Sequence, residues 1–393
     1  MKEDIFRKLD SLFAEMVELR RDFHMYPELY FQEKRTPRVI AEYQEKLGLE
    51  VKTGIGGNGV VATLRGGKPG KTVAVRADFD ALPIVEENDV PYKSKHEGVM
   101  HACGHDAHTA IALGIAKAFS SVRDELAGNI VFIHQHAEEV DPGGAKSMVE
   151  AGAVDGVDAI FATHMENYLP VGYLWHNHDY ILAASDDFSI EITGPGGHAA
   201  FPQDAADVIA IGSQLVSNLQ QIVSRKIDPL ESAVLTIGSF QAGKYPNIIS
   251  QKATLEGPVR TFDEQIRKEI YEWVKQITEH TCKAFGAGFA IDYNFGYPAT
   301  KNDRAMNELL INAARDVIPE SNIKEMEPNM GAEDFSYFLR EIPGSYFFIG
   351  SANEEKGFVY PYHHPKFDID EKAILYGAKI ISATILDYFR KFN

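Results

Sequence analysis

The sequence has few features of a disulfide-rich, membrane or nucleic-acid-binding protein. Only two cysteines, Cys103 and Cys282, occur among 393 residues, which is too few for a disulfide framework. No window approaches the ~18 consecutive apolar residues of a spanning helix, and the N-terminus lacks a signal-peptide pattern. The net charge of -18 repels phosphate backbones and anionic lipid surfaces. We therefore expect a cytoplasmic protein that binds neither nucleic acid nor membranes.

The length and composition predict a globular protein with two domains. At 393 residues the chain exceeds the size at which one hydrophobic core stops growing, and its 45% hydrophobic and 24% charged residues are ordinary for this class. In the first half, strands such as "KTVAVRAD" alternate with helices such as "HDAHTAIALGIAKAF". This alternation predicts an α/β fold with a mixed, largely parallel sheet and helices on both faces.

The order of elements changes near residue 185 to strand, helix, two strands, helix and strand. The two middle strands are predicted at "AVLTIGSFQAG" and "NIISQKATLEGPVRTF". The βαββαβ order is that of the split βαβ, or ferredoxin-like, arrangement. We predict that residues 185–296 form an inserted domain, and that residues 1–184 and 297–393 together form the first domain.

Side chains able to bind metal ions cluster at the ends of predicted strands and at the start of one helix. The densest stretch is "HACGHDAH" at residues 101–108, which is too rich in histidine for an ordinary core segment. Open α/β sheets place their sites at the carboxyl ends of strands. The candidate residues there are Asp78, Asp80, Cys103, His105, Glu138, Glu139 and His164. A further pair, His363 and His364, lies far downstream in "YPYHHPKF".

These residue types suit the hydrolysis of an unactivated amide. One or two divalent ions lower the pKa of water toward ~7 and act as Lewis acids. Thiolate, imidazole and carboxylate groups can hold the ions, while one uncoordinated carboxylate serves as general base. Glu138 and Glu139 are adjacent, so one of them can bind a metal ion while the other serves as the general base. His108, three residues after His105, either binds metal or caps local hydrogen bonds, and we favour the second.

Several motifs, taken in chain order, resemble those of the peptidase family M20 metallohydrolases. They fit best its amidohydrolase branch, which includes hippurate hydrolases, N-acyl-amino-acid amidohydrolases and auxin-conjugate hydrolases. The resemblance extends from near residue 20 to the C-terminal helix. The motifs that carry it are "RADFDALP", "HACGHDAH", "AEE" followed by "PGGA", "HMENYLPVG", "GPGGHAAFP", "GAEDFSYF" and "HHPKFDIDE".

The resemblance implies a catalytic domain interrupted by a lid domain, with two divalent metal ions in each subunit. It implies Glu138 as general base and Asp80 as the residue that orients a ligand. Zinc, manganese, cobalt and nickel all suit such a mixed ligand set. The implied ligands are Cys103, His105, Glu139, His164 and a C-terminal histidine, for which the motif selects His363 and leaves His364 as the alternative.

The lid domain has implied roles of its own. His198 stands where the family uses an imidazole to stabilise the oxyanion, in many members across a dimer interface. The resemblance therefore implies a homodimer formed through the lid. Asn247 and Arg260 are candidates to bind the carboxylate of the substrate, because a guanidinium group matches a carboxylate bidentately.

We predict a metal-dependent amidohydrolase that cleaves N-acetyl or aromatic N-acyl amino acids or short peptide-like conjugates. A metallo-carboxypeptidase or dipeptidase of the same family is the main alternative. A cysteine hydrolase using Cys103 is a second alternative, but it leaves Glu138, Glu139 and His164 without a role. A non-catalytic metal-binding scaffold is a third, and an intact Glu138 argues against it.

Overall fold

Helices and strands alternate along the first half of the chain in the computed structural model, which describes residues 1–393. None of the helices is both long and apolar enough to cross a membrane. The α-helices are α1 (Lys2–Met25), α2 (Arg35–Lys46), α3 (His105–Ser120), α4 (Ala145–Glu150), α5 (Val208–Leu219), α6 (Glu264–Ala284), α7 (Arg304–Ala314), α8 (Ser336–Glu341) and α9 (Lys372–Phe392). The strands are β1 (Glu50–Ile55), β2 (Gly59–Arg65), β3 (Lys68–Asp78), β4 (Ala127–Gln135), β5 (Ala159–Pro170), β6 (Leu174–His176), β7 (Tyr180–Leu182), β8 (Ala184–Thr193), β9 (Gly197–His198), β10 (Ala233–Leu235), β11 (Ser239–Ala242), β12 (Ile248–Ile249), β13 (Lys252–Thr261), β14 (Gly288–Phe295), β15 (Thr300–Lys301), β16 (Ile323–Glu325) and β17 (Gly344–Ala352).

The chain divides into two units, the second of which interrupts the first in sequence. The first unit comprises Met1–Ile181, Thr300–Pro328 and Asp334–Asn393. The second comprises Leu182–Ala299 and Asn329–Glu333. The sequence-based boundaries described a single insertion and did not include the short second segment. The role of the second unit as a lid stays a prediction.

The first unit is built on an eight-stranded sheet of order β1-β2-β4-β3-β5-β17-β6-β16. The central strands β4, β3, β5 and β17 run parallel to one another. Strands β1 and β2 pair antiparallel at one side, and β17 pairs antiparallel with β6 at the other. Central strands such as β4 are buried almost throughout, as expected for a parallel sheet covered by helices. The predicted mixed α/β fold class is confirmed.

Helix α3 lies at the centre of the first unit. Almost all of its residues are buried, including small ones such as Ala110 and Ala116. A helix that is apolar on all sides must be covered on all sides. α1 and α9 pack on it, and it also contacts the sheet through β3. Helix α1 is amphipathic, and its apolar residues Ile5, Leu9 and Met16 belong to this core.

The second unit has a separate core under an antiparallel sheet. Its strands follow the order β10-β13-β8-β14, with β11 also paired to β13. Side chains of β8 alternate between buried and more exposed positions, so one face of the sheet is covered. Helices α5 and α6 pack against that sheet and against each other. This is the ferredoxin-like arrangement that the βαββαβ order predicts.

Two of the predicted strands are wrong in their extent. The strand predicted at residues 233–243 is interrupted between β10 and β11, opposite Gly257 and Pro258. A Cβ on Gly257 would lie only 1.8 Å from the Thr236 carbonyl oxygen, so the chain approaches closely there. The strand predicted at 247–262 is likewise two strands, of which β12 pairs with β9.

Candidate functional site

A tight turn brings Cys103 and His105 to the start of α3. Gly104 precedes the helix with a φ of 92°, a conformation that favours glycine. A Cβ at this position would lie 2.9 Å from the Met165 side chain, which leaves no room for another residue. The side chains of Cys103 and His105 are both buried. The sequence prediction that this motif opens a helix is confirmed.

The structure brings Cys103, His105 and His164 together. The Cys103 Sγ lies 3.2 Å from the His164 Nε2, and one ligand atom from each of the three residues lies within 4.8 Å of the others. His164 Nδ1 contacts the Met165 carbonyl oxygen at 2.7 Å, so it is the Nε2 that faces the cluster. His164 lies inside β5, not at its end as predicted, because pairing with β17 continues beyond it.

A second group of three contains Cys103, Glu139 and His363. The His363 Nε2 lies 3.2 Å from a Glu139 carboxylate oxygen. The backbone of His363 has a φ of 64° and donates a hydrogen bond to the Ala102 carbonyl at 2.7 Å. Because both groups contain Cys103, its sulfur lies where the two groups meet.

His364 points to different neighbours. Its Nδ1 accepts a hydrogen bond from the Lys366 backbone at 3.0 Å, and its ring stacks on Tyr360 with centroids 4.4 Å apart. Of the two adjacent histidines, His363 is therefore the one that the structure brings to Glu139.

Asp80 connects the helix to the glutamate pair. One carboxylate oxygen lies 3.0 Å from the His105 Nδ1, and the other accepts a hydrogen bond from the Glu139 backbone at 3.0 Å. The His105 Nε2 consequently faces the two glutamates, 3.9 Å from Glu138 and 3.8 Å from Glu139. Both glutamates lie beyond the end of β4, in the loop that follows it.

A neighbouring network holds Asp78. Its carboxylate lies 2.6 Å from the His108 Nδ1 and accepts a hydrogen bond from Arg76 at 2.5 Å. The His108 Nε2 accepts from the Met165 backbone at 3.0 Å, so protein partners occupy both ring nitrogens. This agrees with the local hydrogen-bonding role that we favoured for His108.

Two charged residues of this network were missed in the sequence analysis. Arg76 is buried, and its guanidinium also donates to Asp334 at 3.0 Å. Asp334 in turn accepts hydrogen bonds from Gln135 at 2.7 Å and from the Ala145 backbone at 3.0 Å. The sequence indicates such a network at Arg76, because an arginine inside an apolar strand must have buried acidic partners.

The electrostatics of the cluster favour a bound cation. Burial lowers the pKa of His105, but the carboxylates of Asp78 and Asp80 outweigh burial and raise that pKa to about 10. Burial raises the pKa of Asp78, but the Arg76 guanidinium, followed by His105 and His108, lowers it well below its usual range. The site therefore concentrates negative charge around His105.

The surroundings of Cys103 do not suit a nucleophilic thiolate. Burial raises the pKa of its thiol well above the usual range, and Glu139 and Glu138 raise it further. Burial, followed by the positive charge of neighbouring histidines, lowers the pKa of His164 well below its usual range. A thiolate–imidazolium pair requires the opposite shifts.

Two buried atoms of the cluster lack protein partners, and they fit a metal site. The His105 Nε2 and the Glu139 Oε1 have no hydrogen-bond partner although both are buried. Buried polar atoms are normally satisfied, so each such atom requires an explanation. Imidazole, thiolate and carboxylate are ligands of divalent transition metals. The residues present therefore fit the group that the sequence implies.

The remaining predicted site residues belong to the second unit. The exposed His198 accepts a hydrogen bond at Nδ1 from the Ala200 backbone at 3.1 Å, so its neutral ring carries the proton on Nε2. Asn247 is exposed and adjoins His198, because its carbonyl accepts from the Ala199 backbone at 3.1 Å. Arg260, on β13, has a buried Nη1 without a hydrogen-bond partner.

Comparison with known proteins identifies the family. The profile of Peptidase family M20/M25/M40 matches residues 74–387. The chain belongs to this family. Members of peptidase family M20/M25/M40 hydrolyse amide bonds, and the chain is such a hydrolase. The family resemblance predicted from the motifs is thereby confirmed.

Relatives and a solved structure cover most of this M20 chain. It is 45% identical over 296 residues to the N-acyl-L-amino acid amidohydrolase of Geobacillus stearothermophilus, covering 75% of this chain and 80% of that protein. It is 40% identical over 382 residues to thermostable carboxypeptidase 1 of Saccharolobus solfataricus, covering 95% of this chain and 96% of that protein. The crystal structure of the Bacillus subtilis YxeP protein, a dinuclear metal-binding peptidase of the M20 family, is 33% identical, with a TM-score of 0.83 and coverage of 97% and 99%.

Proposed function

We propose that the chain is a metal-dependent amidohydrolase of N-acyl amino acids. The observation that carries this proposal is the pair of overlapping ligand groups that share Cys103, with Glu138 beside them. A relative named N-acyl-L-amino acid amidohydrolase, 45% identical over 296 residues, supports the substrate class. N-acetyl and aromatic N-acyl amino acids are the substrates to test first.

The proposed site holds two divalent ions. Cys103, His105 and His164 would hold one, and Cys103, Glu139 and His363 the other. The solved relative described as dinuclear supports this stoichiometry. Zinc, manganese, cobalt and nickel all match a ligand set of thiolate, imidazole and carboxylate. When bound, such ions polarise a carbonyl and lower the pKa of water to about 7.

Side chains of the protein would perform the proton transfers. In our proposal Glu138 takes a proton from the attacking water and later gives it to the leaving amine. Asp80 keeps His105 oriented through its Nδ1, 3.0 Å away. In our proposal the His198 Nε2–H donates a hydrogen bond to the oxyanion.

Arg260 and Asn247 are our candidates to bind the substrate carboxylate. Burial lowers the pKa of Arg260, and its Nη1 is buried without a partner. An anionic ligand would satisfy that nitrogen and compensate for its desolvation. A substrate with a free carboxylate, such as an N-acyl amino acid, supplies this ligand.

A carboxypeptidase activity is the second candidate. The relative named thermostable carboxypeptidase 1 is 40% identical over 382 residues. The same ligand set and general base would hydrolyse a peptide bond next to a terminal carboxylate. A cysteine hydrolase is disfavoured because it leaves Glu138, Glu139 and His164 without a role. A pure metal-binding scaffold has no use for Glu138.

We also propose a homodimer formed through the second unit. Strand β11 is an edge strand of its sheet and pairs only with β13. It carries the partly exposed Phe240, and the neighbouring helix α5 exposes Ile209. Pairing with a second copy would cover this edge. The cytoplasmic location stays a prediction.

The test is a substrate screen with metal removal and reloading. We expect the purified protein to hydrolyse N-acetyl or N-benzoyl amino acids faster than dipeptides. Chelation should abolish this activity, and Zn²⁺, Mn²⁺, Co²⁺ or Ni²⁺ should restore it. Full activity in a verified metal-free sample would contradict the proposal. Activity on dipeptides alone would favour the peptidase instead.

A further inference from the structure

Glu33 is a buried carboxylate without a role in the site described above. It lies between α1 and α2, and only 1% of its surface is exposed. Burying a carboxylate is unfavourable unless hydrogen bonds compensate for the lost water. The partners of Glu33 therefore indicate what it does.

The two oxygens of Glu33 have different partners. Oε1 accepts a hydrogen bond from the Ala137 backbone N–H at 3.0 Å, and Oε2 accepts one from the Asn58 side chain at 2.9 Å. Ala137 has a φ of 50°, which residues other than glycine seldom adopt. Such a conformation persists only where the surroundings impose it.

The backbone around Ala137 is fixed on three sides. Its N–H is bound by Glu33, and its carbonyl accepts a hydrogen bond from the Gly144 backbone at 3.0 Å. Two residues later, the Glu139 backbone N–H donates to Asp80 at 3.0 Å. Two buried carboxylates from separate segments thus hold the backbone N–H groups of the residues before and after Glu138.

We propose that Glu33 is a positioning residue for the reaction: it fixes the left-handed backbone of Ala137 and thereby aims the carboxylate of Glu138. This inference rests on the proposed function of Glu138. Asp80 orients Glu139 by accepting a hydrogen bond from the Glu139 backbone. Glu33 orients Glu138 by accepting a hydrogen bond from the backbone of Ala137, the residue before it. Glu33 belongs to neither proposed ligand group, and it acts only through the backbone that precedes the general base.

The electrostatics of Glu33 support this role. Burial raises its pKa to about 7, although the hydrogen bond from Asn58 lowers it. The nearby Asp80 carboxylate adds to the increase. A residue that served packing alone would be more favourable as an apolar side chain at this position.

The test compares Glu33→Ala with Glu33→Gln. The alanine variant leaves the Ala137 N–H without its acceptor, and we expect kcat to fall about 10- to 100-fold, the scale of a small misplacement of a catalytic group. KM and metal content should stay within about twofold of wild type, since the ligands are untouched. Glu33→Gln keeps an oxygen opposite the Ala137 N–H and should recover most of kcat.

Glu28→Ala is the matched control. Glu28 lies in the same segment and accepts hydrogen bonds from the backbone N–H groups of Lys34, Arg35 and Thr36 at the start of α2. This variant should lower stability but leave kcat unchanged. If Glu33→Ala does not fold, Glu33→Asp replaces it, because the shorter side chain keeps the charge but withdraws from Ala137.

A crystal structure of the Glu33 variant separates this inference from the proposed function. We expect the φ of Ala137 to leave the positive region and the Glu138 side chain to move. An unchanged loop, or a kcat within twofold of wild type, would overturn the positioning role. If the wild-type protein hydrolyses no N-acyl substrate, the proposed function fails, and the loop structure alone still decides the role of Glu33.

Discussion

Glu138 and Glu139 are adjacent in the chain but differ in their surroundings. Glu139 has its backbone bound to Asp80, one oxygen 3.2 Å from His363, and the other buried without a partner. Glu138 has an oxygen 3.9 Å from the His105 Nε2. In our proposal the two carboxylates have different tasks, Glu139 binding an ion and Glu138 transferring protons.

This difference predicts unequal effects of the same substitution. Glu138→Gln should keep both ions and lose about 10²-fold or more in kcat, the scale of general-base catalysis. Glu139→Gln should lose metal, because an amide is a poor replacement for an anionic ligand. Metal content by mass spectrometry, measured beside kinetics, checks both. Equal metal loss in the two variants would refute the division of roles.

A buried network next to the site makes stability depend on pH. His24 lies 2.8 Å from Asp106 and 3.3 Å from Glu86, and Arg20 also binds Asp106 at 2.8 Å. Burial and the Arg20 charge lower the pKa of His24, but hydrogen bonds to Asp106 and Glu86 raise it above 6.5 overall. The protonated ring therefore stabilises the fold below pH 6.5, and this contribution is lost as pH rises through the pKa in the folded state.

We expect His24→Gln to lower the free energy of unfolding by about 2 kcal/mol at pH 6, the scale of hydrogen bonds to charged groups. The deficit should be smaller at pH 9 than at pH 6, because the stabilisation is lost as the wild-type ring gives up its proton. Urea unfolding of both proteins at pH 6 and at pH 9 measures this difference in the free energy of unfolding. His96→Gln is the control, because His96 bonds a backbone carbonyl instead of a carboxylate. A deficit of equal size at both pH values would contradict the prediction.

Some features at the residue scale could not be predicted from sequence. Residue type and spacing predicted that Cys103, His105 and Glu139 would lie together. The family motif selected His363 and left His364 as the alternative, and the left-handed backbone of His363 could not be read from the sequence. The burial of Glu33 was also invisible, because an isolated glutamate in a loop looks like a surface residue.

At the scale of elements, long periodic segments were predicted well and short ones were not. Helices α3 and α6 were predicted because their apolar spacing repeats over several turns. Short strands such as β6 and β16 contain three residues each, too few for a pattern. Their existence depends on tertiary pairing, which the local sequence does not encode.

Helix α6 allows a prediction about the residue that caps its N-terminus. Asp263 precedes the helix, and its side chain accepts hydrogen bonds from the Gln265 and Ile266 backbones at 2.8 and 2.9 Å. Asp263→Ala should lower the free energy of unfolding of the second unit by about 1 kcal/mol. Lys268→Ala, an exposed change in the same helix, should have no measurable effect. Chemical denaturation checks this, and equal stability of the two variants would contradict it.

At the scale of the whole molecule, the proposed dimer and the role of His198 can be tested together. His198→Ala should cut kcat by about 10²- to 10³-fold without loss of metal, because an oxyanion donor acts on the transition state. If His198 acts across a dimer, mixing this variant with Glu138→Gln should regenerate activity in hybrid dimers. Verified hybrids without recovery would place its action within one chain. A wild-type rate for His198→Ala would refute the oxyanion role.

The order of strands in the central sheet has a consequence for biosynthesis. β17 lies between β5 and β6 in the sheet, although it is made long after both. His363 is made later still. At about 5–20 residues per second, a ribosome needs roughly 10–50 s to proceed from His105 to His363. Until then the nascent chain holds only part of the proposed ligand set. In the proposed ligand set the group of Cys103, His105 and His164 is synthesised first, and the second group is complete only once His363 is made. We therefore expect products of translation interrupted before His363 to lack a working site.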